Sequence, residues 1–151
     1  MSIIRQILPK SIQKIKVIKD KKCAYHSIKR KILFSLSYLK KQKYLKTAME
    51  KFYNRTLSLK EFQLLALLHE FGHAYQSETF YNDLYLYNIN RIYCDKIIKT
   101  KNFDYTTATL FYWNNIPQEK FAMRFAMRIF KLYKNKLENN NLDKKIIAIT
   151  I

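Results

Sequence analysis

The segment His69-Glu70-Phe71-Gly72-His73 has the residue types and the spacing that metal-dependent chemistry requires. On an α-helix, residues four apart are separated by about 40° of rotation and about 6 Å along the axis, so the imidazoles of His69 and His73 can bind one metal ion. Glu70 is rotated by about 100° from His69, where its carboxylate can reach a metal-bound water without becoming a ligand. The segment therefore predicts a metal site with a general base beside it.

The alternative is that both histidines are ordinary core residues. In a chain of this length, the pattern H-E-x-x-H arises by chance in about two or three sequences per thousand. The chain has three histidines, and two of them fall in this segment. Buried imidazoles would also need hydrogen-bond partners to offset the cost of burial. We therefore predict zinc, which would lower the pKa of its bound water to about 7, so that Glu70 can take the proton as the water attacks a peptide carbonyl.

Gly72 is the only glycine of the chain, and it lies inside the predicted helix. A glycine in a helix interior costs about 1 kcal/mol relative to alanine. This cost indicates that another element packs closely at Gly72. We predict a facing helix with small residues there, and Ala122 and Ala126 provide them.

A catalytic zinc needs a third protein ligand. The remaining histidine, His26, falls in a predicted hairpin, so we expect an acid. The candidates after the motif are Glu78, Asp83, Asp95, Asp104, Glu119, Glu138 and Asp143. Glu119 is favoured, because it shares a helical face with Ala122 and Ala126, and a buried carboxylate needs a cation or hydrogen-bond donors. The alternative is that Glu119 caps the first turn of its own helix.

The elements that position these residues can be predicted in outline. Apolar residues alternate with polar ones from Ile12 to Ser37, with turns at residues 20–22 and 29–31, which indicates two or three short antiparallel strands. Residues 38–53 have the helical spacing of a surface helix with one buried stripe. Ser58 and Glu61 form a capping box that begins the motif helix, which we expect from about residue 59 to 77. Further helices are predicted at about 84–99 and 117–137, with a loop at 102–107.

Length and composition favour one domain spanning residues 1–151. Hydrophobic residues make up 48% of the chain, while one glycine and two prolines argue against a turn-rich all-β protein. We predict an α+β fold in which a short antiparallel sheet near the N-terminus packs on a central motif helix, with further helices around it. Residues 1–11 and 138–151 are expected to be peripheral tails.

The chain is strongly basic, with 29 Lys and Arg against 11 Asp and Glu and a formal net charge of +18. This charge would attract a polyanion or an acidic partner, but no nucleic-acid recognition motif accompanies it. Cys23 and Cys94 lie outside any paired pattern and are expected to be reduced thiols. Because neither a signal peptide nor a membrane-spanning stretch is apparent, we predict a cytoplasmic protein with no membrane partner.

The motifs resemble those of small gluzincin metallopeptidases, and in particular the ImmA/IrrE-like proteins of phages and mobile elements. That family has H-E-x-G-H followed by a helix with E-x-x-A, and here the second element is Glu119-Lys120-Phe121-Ala122. The resemblance extends to the predicted strands at residues 24–25 and 32–36 and covers about residues 12–134. Met123 stands where the family often has Asp or Asn. The Tyr-rich segment 80–113 would be an insertion over the site.

The resemblance implies a zincin-like fold and a zinc-dependent metallo-endopeptidase with a protein or peptide substrate, such as a transcriptional repressor. One Zn²⁺ would be bound by His69, His73 and Glu119, with Glu70 as the general base. The substrate would lie extended along the sheet edge at residues 31–37. The alternative is a catalytically inactive zincin-like protein, or a basic module that binds nucleic acid or protein around a structural metal.

Hydrolysis also needs a donor that stabilises the oxyanion. Tyr112 and Tyr105 are candidates, with core packing as the alternative role for either side chain.

Overall fold

The computed structural model describes residues 3–80 and 84–139. Within these ranges the chain forms a small sheet and seven α-helices, so the α+β class is confirmed. In chain order, the elements are α1 (Ile3–Ile7), a 3-10 helix (Lys10–Ile12), β1 (Lys16–Lys19), β2 (Ala24–His26), β3 (Lys31–Phe34), α2 (Leu36–Lys41), α3 (Lys43–Tyr53), α4 (Leu59–Thr79), α5 (Leu84–Lys101), α6 (Tyr105–Asn115) and α7 (Pro117–Asn139).

The sheet is mixed, so the prediction of an antiparallel sheet was wrong for one of its two pairings. The strand order is β1-β3-β2, with β1 parallel and β2 antiparallel to β3. After β1 the chain crosses the carboxyl end of β3, where the Asp20 amide donates to the Phe34 carbonyl at 3.0 Å. This crossing puts β3, whose Ile32, Leu33 and Phe34 are buried, in the middle of the sheet. Alternation of apolar residues predicts strands but does not specify their neighbours.

The strand order also corrects the expected peptide-binding edge at residues 31–37. β3 is paired on both sides, and residue 36 already begins α2 after its cap, Ser35. Since a peptide can be added only to an unpaired strand, this segment cannot accept one. Within the described residues, β2 is the outer strand on the side of α4.

The motif helix α4 begins as predicted. The Ser58 hydroxyl accepts from the Glu61 amide at 3.2 Å, and the Glu61 carboxylate accepts from the Ser58 amide at 2.9 Å. These bonds satisfy two amides that a helix start otherwise leaves unpaired. Much of α4 is buried along its length, which makes it the central element of the fold.

The close approach predicted at Gly72 is confirmed. A Cβ atom built on Gly72 would lie 2.8 Å from the Ala122 Cα atom and 3.0 Å from its carbonyl oxygen. Contacts this short with backbone atoms leave no room for any other residue type. Ala122 and Ala126 are fully buried. Helices α4 and α7 are therefore held at a fixed distance from each other at this point.

Two helix predictions need correction. The helix expected over residues 38–53 is divided into α2 and α3 at Gln42, whose φ of −91° and ψ of 66° are not helical. The expected loop at residues 102–107 contains the start of α6, which was not predicted. The Asp104 side chain caps α6 by accepting from the Thr107 amide at 2.7 Å, and this capping residue was the available signal.

Part of the expected N-terminal tail belongs to the fold. Leu8 is buried in the core, and the Arg5 guanidinium donates to the carbonyls of Gln13 and Ile15. α7 continues to Asn139, and residues 140–151 lie outside the described ranges. Cys23 and Cys94 are free, as predicted. In residues 3–80 and 84–139, no helix is long and apolar enough to cross a bilayer.

Candidate metal centre

Helices α4 and α7 bring three metal-binding side chains together. His69 and His73 lie one turn apart on α4, and their Nε2 atoms are 3.1 Å from each other. Glu119, in the first turn of α7, places its Oε2 atom 3.2 Å from His69 Nε2 and 3.4 Å from His73 Nε2. The three atoms thus form a nearly equilateral triangle.

The triangle has the size that a small tetrahedral ion needs. With bonds of about 2.0–2.1 Å to nitrogen and oxygen, tetrahedral ligand atoms lie about 3.3–3.4 Å apart. The observed separations are 3.1, 3.2 and 3.4 Å, and two imidazoles with one carboxylate are a suitable donor set for zinc. These residues could therefore hold one metal ion without rearrangement of the helices.

Electrostatics couples the same groups. Burial opposes ionisation of Glu119, but the charge and hydrogen bonds of His73 and His69 outweigh it and hold the Glu119 pKa well below its usual range. Burial likewise opposes protonation of His73, yet the Glu119 carboxylate raises the His73 pKa to about 9. Without a metal ion, a proton on His73 therefore pairs with the Glu119 carboxylate at neutral pH.

Tyr87, on α5, fixes the other oxygen of Glu119. Its hydroxyl donates to Glu119 Oε1 at 2.8 Å, which leaves Oε2 directed at the histidines. Burial and the neighbouring carboxylate raise the pKa of Tyr87, so the hydroxyl keeps its proton and remains a donor. Sequence reasoning missed Tyr87, because nothing in the sequence distinguishes it from the other eleven tyrosines of the chain.

Glu70 lies beside the triangle and against the sheet. Its Oε2 atom accepts a hydrogen bond from the backbone amide of Tyr25, in β2, at 2.6 Å. The amide belongs to the outer strand, on the side that β3 does not occupy. The predicted general base and the unpaired strand edge are therefore immediate neighbours.

These groups share one open cleft of about 330 Å³. β2, α4, α5 and α7 contribute to its wall. The lining residues are Cys23, Ala24, Tyr25, Ser27, His69, Glu70, His73, Gln76, Tyr87, Gln118 and Glu119. All four residues predicted as ligands or base are thus brought to one surface.

A second cavity of about 180 Å³ adjoins the cleft. It shares Cys23, His69 and Glu70 with the cleft, and its other walls are apolar or aromatic. These walls are formed by Tyr38, Leu39, Leu45, Met49, Phe62, Ala66 and Trp113.

The two tyrosines predicted as oxyanion donors do not line the cleft. The Tyr112 hydroxyl donates to Asp95 on the neighbouring helix α5. Tyr105 is 80% exposed and its ring packs against Tyr44. Both tyrosines lie on α6, which packs on α3, α5 and α7. Among the described tyrosines, Tyr25 and Tyr87 line the cleft, and the Tyr87 hydroxyl donates to Glu119.

The other candidate ligands have different partners. Glu78 accepts two hydrogen bonds from the Arg30 guanidinium, Asp95 accepts from Tyr112, and Asp104 caps α6. His26 accepts from the Lys29 amide within the turn after β2. Asp83 and Asp143 lie outside the described residues, as does the Glu138 side chain. The Glu119 carboxylate is directed at the histidines and Tyr87. This orientation fits a metal ligand and does not fit a side chain that caps the start of α7.

Two buried atoms of residues that line the cleft have no hydrogen-bond partner. In the described part of the chain, these are His69 Nδ1 and Gln118 Oε1. A histidine that binds metal through Nε2 carries its proton on Nδ1, and in most sites an acceptor orients that group. Met123 occupies the position where the resembled family often has Asp or Asn, and its backbone carbonyl accepts from the Tyr53 hydroxyl at 2.6 Å. The support around the histidines is therefore incomplete.

Comparison of the chain with protein-family models, with curated proteins and with solved structures found no match. The resemblance to the ImmA/IrrE-like proteins thus stays a prediction from the two motifs.

Proposed function

We propose that the chain is a cytoplasmic zinc-dependent metallo-endopeptidase of the gluzincin type, with a zincin-like fold, that hydrolyses peptide bonds of a protein substrate. The observation that carries the proposal is the triangle of His69 Nε2, His73 Nε2 and Glu119 Oε2 with Glu70 in the same cleft. Its two histidines and two acids match the motifs of the ImmA/IrrE-like proteins, to which we assign the chain as part of the proposal.

Zinc bound at the triangle would polarise a carbonyl and make water acidic enough to lose a proton at neutral pH. Glu70 is suited to accept that proton. Its Oε2 atom is held by the Tyr25 amide, so the carboxylate is oriented and Oε1 is left for the proton. Glu70 would then pass the proton to the leaving amine, as a general acid.

The outer edge of β2 is the surface where an extended substrate would lie. Because the Tyr25 amide holds Glu70, the substrate would pair with other backbone groups of this edge and would lie next to the oriented base. Strand addition of this kind uses backbone hydrogen bonds and therefore tolerates varied side chains. The proposed edge replaces the one expected from the sequence at residues 31–37.

The adjoining apolar cavity would receive one substrate side chain. Because it opens beside His69 and Glu70, that side chain would belong to a residue at the scissile bond. Leu, Met or Phe would bury apolar surface there, at about 25 cal/mol per Å².

Ala66→Trp, which fills the cavity from α4, is expected to lower kcat/KM for such peptides more than for peptides with alanine at that position.

A structural metal site is the alternative. Such a site is usually closed by four protein ligands, whereas a catalytic site has three and leaves one position for water. Among the described residues, the cluster of potential donors has three members, and they line an open cleft. These observations favour catalysis over a structural role.

Zinc content and proteolysis of matched variants test the proposal. Glu70→Gln is expected to keep zinc and lose proteolysis of a mixed peptide library by at least about a hundredfold. Glu119→Ala is expected to lose both. Asp104→Asn removes a carboxylate that does not line the cleft, keeps a side chain that can cap α6, and should change neither. Full activity of zinc-loaded Glu70→Gln would refute the mechanism, and unchanged zinc binding in Glu119→Ala would refute the third ligand.

A further inference from the structure

A groove of about 610 Å³ runs along α7, away from the metal cleft. Tyr75 and Phe121 line it, and each is two residues from a member of the triangle, His73 and Glu119 respectively. Two residues correspond to about 200° around a helix. The groove and the cleft therefore occupy opposite faces of the α4–α7 pair.

The floor of the groove is aromatic and partly open to solvent. The Tyr75 ring stacks on the rings of Phe125 and Phe121, with centroids 5.4 and 6.3 Å apart. Phe80 and Leu132, which also line the groove, are 55% and 47% exposed. Apolar side chains this exposed in a concave surface are typical of a binding site for another protein.

The shape of the groove matches a helix. Phe121, Phe125, Ile129 and Leu132 line it from one face of α7, at helical spacing. From Phe121 to Leu132 the helix rises about 16 Å, or about three turns. A partner helix with anchors at positions i, i+3, i+4, i+7 and i+11 would cover this length.

The charge of the groove indicates which type of partner helix it would bind. Arg124 and Arg128 line the groove and are exposed, and in residues 3–80 and 84–139 neither forms an ion pair. Among the described residues, none that lines the groove is acidic. Two unpaired guanidinium groups beside an apolar floor favour carboxylates on the partner. A second copy of this chain is disfavoured, because each copy has a net charge of +18.

We propose that this groove binds an amphipathic, acidic helix of another protein. The apolar face of that helix would lie on the Tyr75 and Phe125 rings, and its flanking carboxylates would pair with Arg124 and Arg128. The site is independent of the metal cleft, so it stands whether or not the chain hydrolyses peptides.

Fluorescence anisotropy with a labelled model peptide tests the proposal on the full chain. The probe is a 14-residue peptide of Leu and Glu with Leu at positions i, i+3, i+4, i+7 and i+11. Binding is expected with a Kd of about 1–100 µM. The double variant Arg124→Glu/Arg128→Glu should raise the Kd at least tenfold, and Leu132→Glu should also raise it.

Three controls can overturn the proposal. Lys96→Glu/Lys99→Glu makes the same charge change at exposed sites on α5 and must leave the Kd within about twofold. A scrambled peptide of equal composition, without an apolar face, must bind at least tenfold more weakly. An acidic helix as the occupant would be refuted by equal losses in both double variants, by equal binding of the scrambled peptide, or by no binding at 100 µM. It would also be refuted if light scattering showed a dimer that Leu132→Glu disrupts. Circular dichroism must show that every variant is folded.

Discussion

At the scale of residues, the two carboxylate oxygens of Glu119 have different partners. Oε2 faces the histidines, and Oε1 accepts from Tyr87 at 2.8 Å. Donors of this kind orient a ligand and tune its basicity, and their loss typically weakens metal binding about 10–100-fold. The hydroxyl of Tyr87 is therefore predicted to increase the affinity for zinc, although it is not a ligand.

Tyr87→Phe removes this hydroxyl and keeps the ring. We expect the zinc Kd to rise about 10–100-fold in competition with a chromophoric chelator. Tyr93→Phe, on the same helix but 66% exposed, is the matched control and should leave the Kd unchanged. An unchanged Kd in Tyr87→Phe would mean that the hydrogen bond does not support the site.

Protons compete with the metal for His73. The Glu119 carboxylate raises the His73 pKa to about 9 in the metal-free protein, whereas a metal ligand must be neutral. Since the folded-state pKa lies above the ordinary value, the ion pair stabilises the metal-free fold at low pH, and this contribution is lost as the pH rises through about 9.

Zinc binding between pH 7 and 8 is accordingly expected to release one proton from His73. Titration calorimetry in buffers of different ionisation enthalpy measures this release. The apparent affinity should rise about tenfold per pH unit in this range and level off above about pH 9. An affinity that does not depend on pH would contradict the assigned ion pair.

At the scale of elements, the α4–α7 contact sets the distance between the histidines and Glu119. A Cβ atom at position 72 would lie 2.8 Å from the Cα atom of Ala122, and that atom moves only with α7. Any shift of α7 at this point also moves Glu119, which lies one turn away.

Gly72→Ala is therefore expected to destabilise the protein by about 1–3 kcal/mol, although alanine favours a helix by about 1 kcal/mol. Zinc affinity should fall as well. Chemical denaturation of the metal-free protein and a zinc titration measure the two effects. Lys60→Ala, at an exposed position of α4, controls for helix propensity. A more stable Gly72→Ala with unchanged zinc affinity would contradict the close contact.

The elements differ in how far the sequence predicts them. α4 could be predicted with its start, because the capping box and the apolar run are both local in the chain. Its contact with α7 could be inferred because a lone glycine inside a helix is costly. The strand order could not be predicted from the sequence, since it depends on which strands the fold buries. Tyr87 could not be singled out either, because its role depends on how α5 lies over the cleft.

At the scale of the whole molecule, the charge of +18 should act on substrate encounter. Long-range attraction raises the association rate of acidic partners and is screened by salt, with a Debye length of about 10 Å at 0.1 M. If the proposed proteolysis holds, raising the salt concentration from about 50 to 200 mM should raise KM for an acidic protein substrate and leave kcat unchanged. Steady-state kinetics with a neutral peptide of the same cleavage site is the control. Equal salt effects on both substrates would contradict this role of the charge.

The central claim is that two histidines and one acid hold a zinc ion and leave a position for water. Anomalous diffraction at the zinc edge, from crystals of the zinc-loaded protein, tests it most directly. We predict one peak about 2.0–2.2 Å from His69 Nε2, His73 Nε2 and Glu119 Oε2, with a fourth ligand that is not protein. A peak elsewhere, or a fourth protein ligand at this one, would contradict the account.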